Sequence, residues 1–167
     1  MKIFLTGEPH SGKSTLINKI LSHFDDKIGF VTNEVLENGE RKGFELTSSI
    51  GVKAMFASTE YTSAIRVSKY GIEISILDKF LEGLPLINQS ALLYIDEVGQ
   101  MQLHSDTFSK IVDDYISAPN NFIGTLSKVY DHELIQKLRQ NSEIEVIEVT
   151  PENRDVLENV ISSKLIH

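Results

Sequence analysis

The chain has 167 residues, 41% hydrophobic and 24% charged, a length and balance suited to one soluble domain with a substantial core. Its 24 acidic and 16 basic residues give a formal net charge of −8, which argues against nucleic acid as the principal partner, because that binding rests on basic surface and counterion release. Cysteine is absent, which excludes a disulfide framework and a cysteine-ligated metal.

No apolar run approaches the roughly 18 residues of a membrane span, and the apolar stretch in MKIFLTGEP is too short for a secretory signal. The expectation is a cytoplasmic protein, with residues 1–167 forming a single domain.

Taken along the chain, Lys2 to Thr6 reads as a strand that Gly7, Pro9 and Gly12 stop abruptly. Ser14 to Phe24 then sets Leu16, Ile17, Ile20, Leu21 and Phe24 at helical spacing. Lys27 to Thr32 reads as a short strand. Asn38-Gly39 predicts a hairpin turn, with Phe44 to Thr47 as the returning strand. Gly51 to Ser58 and Ile72 to Ile76 follow as strands, the second running into a helix through Leu77 to Leu86. Ala91 to Ile95 is continuously apolar, as in a strand buried on both faces, and ends at Asp96-Glu97. A helix is predicted over Asp106 to Ile116, a strand over Asn121 to Leu126, a helix over Asp131 to Gln140 and a strand over Ile144 to Val149. Thr150-Pro151 gives an N-cap and a first-turn proline for a last helix reaching Leu165. Strands alternating with helices predict an α/β three-layer sandwich on a mainly parallel sheet. The piece from Ile28 to Ile76 is richer in strands and reads as a β-hairpin-rich insertion after the first helix.

The opening turn carries the chemistry. Gly7-x4-Gly12-Lys13-Ser14 satisfies the P-loop pattern between a predicted strand and a predicted helix. Glycines let successive backbone N–H groups curl round phosphates whose charge then rests on a helix N-terminus. Gly7, Glu8, Pro9, His10, Ser11, Gly12, Lys13, Ser14 and Thr15 are therefore the candidate nucleotide-binding residues. In that pattern Lys13 reaches the β- and γ-phosphates and the Ser14 hydroxyl is a Mg2+ ligand. His10 is expected to be a solvated member of the loop, since the backbone holds the phosphate. A second acid-bearing strand end lies where open α/β sheets bind ligands. There Asp96 is the candidate to hold Mg2+, and Glu97 the candidate base for an attacking water.

With these motifs in view, the chain resembles the small P-loop nucleoside-triphosphatases first noted in thermophiles, which include a human cancer-related nucleoside-triphosphatase. TGEPHSGKSTL is similar to the family's P-loop, GFVTNEV with GERKGFEL to its glycine-phenylalanine hairpin, and IRVSKYGIEI to its next strand segment. YIDEVGQMQL sits where the family has D-E-I-G-K-M-E-L, and GTL and TPENRDVL fit its last two strand ends. The resemblance implies slow, Mg2+-dependent hydrolysis of ATP, GTP and other nucleoside triphosphates with little base preference. Gln100 and Gln102 depart from the family's lysine and glutamate, and Leu36, Ser68 and Ser127 from its frequent arginine, glycine and proline. Less charge around the phosphates is the expected consequence.

Among the arginines, Arg66 is the first choice to meet charge developing on the γ-phosphate. Asn153 and Arg154 follow the last strand, where they either contact the base or cap the last helix. A nucleotide or small-molecule kinase using the same cradle is the alternative activity, although no arginine-bearing lid is visible. A guanine-nucleotide switch is disfavoured, because Ser127-Lys128-Val129-Tyr130 lacks the asparagine and aspartate of N-K-x-D.

Overall fold

The computed structural model describes residues 1–166; His167 lies outside them. Strand β1 (Lys2–Thr6) alternates its side chains across the sheet. Ile3 and Leu5 face helix α1 (Lys13–Leu21) and helix α5 (Arg154–Ile166), while Phe4 joins the opposite core. All three residues are completely buried, so β1 is a central strand covered on both faces.

The long second strand β2 (Lys27–Glu37) turns at Asn38-Gly39 into β3 (Glu40–Ser48). Both turn residues have positive φ, 52° and 79°, the geometry that Asn-Gly supplies in a two-residue hairpin. Strands β4 (Lys53–Ser58), β5 (Arg66–Val67) and β6 (Tyr70–Ile72) follow, then helix α2 (Ile74–Glu82). The second half alternates β7 (Leu92–Val98), α3 (Asp106–Ser117), β8 (Phe122–Leu126), α4 (Glu133–Gln140) and β9 (Ile144–Glu148), and closes with α5.

One sheet of nine strands runs in the order β5-β6-β4-β3-β2-β7-β8-β1-β9. From β2 through β7, β8 and β1 to β9 the neighbours are parallel. On the other side of β2, strands β3, β4, β6 and β5 pair antiparallel. Helices α2, α3 and α4 cover one face and α1 and α5 the other. Phe30 anchors the larger core, buried completely with its ring edge-on to Phe80 at 5.7 Å and to Phe108 at 6.1 Å.

Three expectations are corrected. The alternating segment Ile72 to Ile76 is not one strand: β6 ends at Ile72 and α2 begins at Ile74. Burial of Leu77, Phe80 and Leu81 at helical spacing overrides the strand propensity of the isoleucines. The stretch from Ile28 is not an appendage as a whole, since Lys27 to Val31 pairs in register with Leu92 to Asp96 inside the parallel part. Thr150-Pro151 does not open α5; residues 151–153 form a turn, and the Thr150 carbonyl accepts from the N–H groups of Asn153 and Arg154.

Candidate active site

The loop between β1 and α1 crosses the carboxyl edge of the parallel strands. Gly7 has φ 150°, and a Cβ there would lie 2.5 Å from the Val149 carbonyl oxygen. Gly12, with φ 100°, caps α1 in the left-handed region. A side chain is excluded at the first by contact and disfavoured at the second by conformation. The first intrahelical bond runs from the Leu16 N–H to the Gly12 carbonyl. The N–H groups before it lack a helical acceptor, and the first turn of α1 carries no acid. This end of α1 is open to an anion.

Lys13 Nζ folds back across the loop and donates to the carbonyls of Gly7 at 3.0 Å and Glu8 at 2.9 Å. Ser11 is buried, whereas Glu8, Pro9, His10, Ser14 and Thr15 are exposed. His10 is solvated as expected, yet it holds φ 64°, a region that costs a non-glycine residue about 1–2 kcal/mol. His10→Gly is therefore expected to raise stability by about 0.5–1 kcal/mol after glycine's added unfolded-state entropy, or about 2 °C in Tm by calorimetry.

Asp96 and Glu97 end the apolar part of β7, with β8 separating this strand from β1. Asp96 is only 4% exposed and accepts a hydrogen bond from the Thr125 hydroxyl at 2.6 Å. Burial pushes its carboxyl above the ordinary aspartate value, against the pull of the Thr125 and Ser14 hydroxyls and the Lys13 charge. Glu97 is half-buried, and its carboxyl is raised first by burial and then by the Asp96 charge, with Lys13 again opposing. The loop that follows β1 and the acids that end β7 thus lie at the same carboxyl edge of the parallel strands, with β8 between them. Gly99 makes room for the Glu97 side chain: a Cβ there would sit 2.7 Å from Glu97 Oε1.

A family model described as NTPase matches residues 2–162. The chain belongs to the NTPase family. This NTPase is 35% identical over 97% of its length to the nucleoside-triphosphatase THEP1 of Aquifex aeolicus, covering 98% of that protein. It is 31% identical to THEP1 of Thermotoga maritima over 99% of its own chain and 95% of the relative. The crystal structure of the Aquifex THEP1 superimposes with a TM-score of 0.87 at 32% identity, covering both chains completely. The solution structure of a human cancer-related nucleoside triphosphatase gives 0.81 at 28% identity, over 98% of this chain and 96% of the other. The α/β sheet of the NTPase is thus shared along its whole length. No helix among its described residues is long and apolar enough to cross a membrane.

The remaining candidates of the NTPase separate clearly. Arg66 is not brought to the loop: it lies in β5 at the far edge of the sheet and donates to the Tyr61 and Lys69 carbonyls. Asn153 spends both polar atoms on its own turn, accepting from the Thr150 N–H at 2.8 Å and donating to the Glu148 carbonyl at 2.9 Å. Arg154 faces the loop, with Cδ 3.1 Å from the place a Gly12 Cβ would take. Beside it a cavity of about 230 Å³ is lined by Gly12, Thr15, Leu16, Lys19, Arg154 and Asp155. Gln100 is exposed in the turn after β7, whereas Gln102 is 3% exposed and donates to the Thr32 hydroxyl at 3.1 Å.

Sequence reasoning misses Thr125 and Gly99, which lie against Asp96 and Glu97, and Thr32, which accepts from Gln102. GTL marked a strand end but gave no sign that its threonine points at Asp96. Arg139 was also missed, although it donates to the Thr6 hydroxyl at 3.1 Å, at the root of the loop, and to the Ser127 carbonyl at 3.0 Å.

Proposed function

We propose that this nucleoside-triphosphatase hydrolyses ATP, GTP and other nucleoside triphosphates to diphosphate and phosphate, slowly, with Mg2+ and with little preference among bases. The observation that carries the reading is the acid pair at the end of β7, Asp96 buried and Glu97 half-buried, at the same sheet edge as the P-loop. Backbone N–H groups of the Gly7–Thr15 loop hold the phosphates, and Lys13 exchanges its two carbonyl acceptors for phosphate oxygens. Glu97 accepts the proton of the attacking water, for which its raised carboxyl is suited as a base. Arg154 replaces Arg66 as the arginine nearest the nucleotide. Its guanidinium offers a flat face on which any base stacks, which supports low base preference.

The donor set fits Mg2+: a hydroxyl at Ser14 and a carboxylate at Asp96 are hard oxygen ligands. Mg2+ commonly takes only one or two such protein groups, completing its shell with water and phosphate. When bound, Mg2+ neutralises phosphate charge. Thr125 holds the Asp96 carboxylate in place for it. Asp96→Asn is expected to raise the Mg2+ concentration needed for half-maximal turnover by about 10–100-fold, measured as phosphate release against Mg2+ at fixed ATP.

Phosphate release from a panel of ribo- and deoxyribonucleoside triphosphates, repeated with candidate hydroxyl acceptors, tests the activity. Release from several bases at similar rates supports it. Phosphorylated acceptor without free phosphate would replace hydrolysis by a kinase activity.

A further inference from the structure

An acid inside a loop made for a triphosphate conflicts with the anion that the loop takes, and Glu8 is such an acid. Its exposed carboxylate lies 2.8 Å from Lys128 Nζ, which also contacts Glu148 at 2.7 Å. Lys128 follows β8, and Glu148 closes β9; these two strands flank β1. The lysine therefore spans the loop from one neighbouring strand end to the other. Its hydrogen bond and its charge hold the Glu8 carboxyl below the ordinary glutamate range, with a smaller contribution from Lys13. An exposed ion pair of this kind adds little to fold stability, so stability does not account for the arrangement. Substrate electrostatics does. In the free protein Lys13 donates to the Glu8 and Gly7 carbonyls. Once its ammonium turns to phosphate, Lys128 is the cation left beside the Glu8 carboxylate.

We propose that Lys128 is a positioning residue of the phosphate site that acts through Glu8, cancelling an acid that would otherwise repel a nucleoside di- or triphosphate. The inference rests on reading Gly7–Thr15 as the nucleotide cradle. Because salt screens exposed charges that lie farther apart than a Debye length, and that length shrinks as salt rises, the effect is large at low salt and small at high salt.

Equilibrium binding of ADP with Mg2+, which needs no turnover, tests it in the wild type, Lys128→Met, Lys128→Arg, Glu8→Gln and the Glu8→Gln/Lys128→Met double variant. Lys128→Met is expected to weaken ADP about fivefold at low salt, and Lys128→Arg to bind as the wild type does. Glu8→Gln binds at least as tightly as the wild type, and the double variant recovers wild-type affinity. The differences fade at about 0.5 M salt. A double variant as weak as Lys128→Met would overturn the inference, because Lys128 would then act on phosphate or loop shape without Glu8. Unchanged affinity in Lys128→Met would overturn it as well. A wild-type chain without affinity for ADP would overturn the cradle itself, and that shows before any variant is compared.

Discussion

Glu97→Gln is expected to bind nucleotide at close to wild-type affinity and to hydrolyse it about 10²-fold more slowly or worse, the usual size of a general-base effect. Glutamine keeps the length and shape of the side chain that curls beside Gly99, so the loop and the cavity near Arg154 stay as they are. It removes the only feature a base needs, an oxygen able to take a proton. Single-turnover phosphate release separates this step from product release. An unchanged single-turnover rate would remove Glu97 from the base role and leave Asp96 as the acid on which the reaction depends.

The same substitution carries a stability signature of opposite sign. Burial and the Asp96 charge raise the Glu97 carboxyl above 4.5. The folded state therefore binds this proton more readily than the unfolded state does. Stability falls as pH rises from the unfolded value through the raised folded one, and the penalty is complete above it. Glu97→Gln lacks the ionisation and escapes the penalty. In metal-free, nucleotide-free protein its Tm at neutral pH is expected to exceed the wild type's, by about 2–4 °C for each 1 kcal/mol released. The two curves converge as pH falls below the ordinary glutamate value. Loss of activity with gain of stability is the mark of a functional acid kept in an unfavourable place.

The candidate site is legible in the sequence where its chemistry demands rare residues at set spacing. The glycines, Lys13 and Ser14 are legible because few other residues leave backbone N–H groups free to meet phosphate, and β7 is legible because a strand buried on both faces must be apolar until it reaches the edge. Side-chain supports were not legible. Thr125 and Thr32 are ordinary strand residues until the sheet sets Thr125 against Asp96 and Thr32 against Gln102. The place of Arg66 is not legible, because nothing local distinguishes an edge-strand arginine from one facing a phosphate; the strand order puts it at the far end. Strand β5, with two residues, is too short to leave a periodic pattern. The boundary at Ile72 to Ile74 is hidden for another reason: the isoleucines favour a strand, and tertiary packing of Leu77 and Phe80 overrides them.

Lys13→Ala is expected to abolish measurable turnover and to weaken nucleotide binding by about 10²-fold or more. Each charge-assisted hydrogen bond lost is worth about 1.5–3 kcal/mol, and each 1.4 kcal/mol is tenfold in affinity. Among the described residues Lys13 donates to two backbone carbonyls, Gly7 and Glu8. The Glu8 bond is exposed and the Gly7 bond only part-buried, so truncation is expected to leave the fold intact and near-UV circular dichroism unchanged. The bound state is different. Lys13 there balances phosphate charge next to two acids that its own charge now holds down, and its removal lets both carboxyls rise further while the substrate loses its cation. Affinity and chemistry are lost together, unlike in Glu97→Gln, where only chemistry goes. Titration calorimetry with ADP and Mg2+ reads the first loss and phosphate release from ATP the second. Wild-type ADP affinity in Lys13→Ala would show that the backbone N–H groups of the loop hold the diphosphate unaided, and would confine Lys13 to the γ-phosphate.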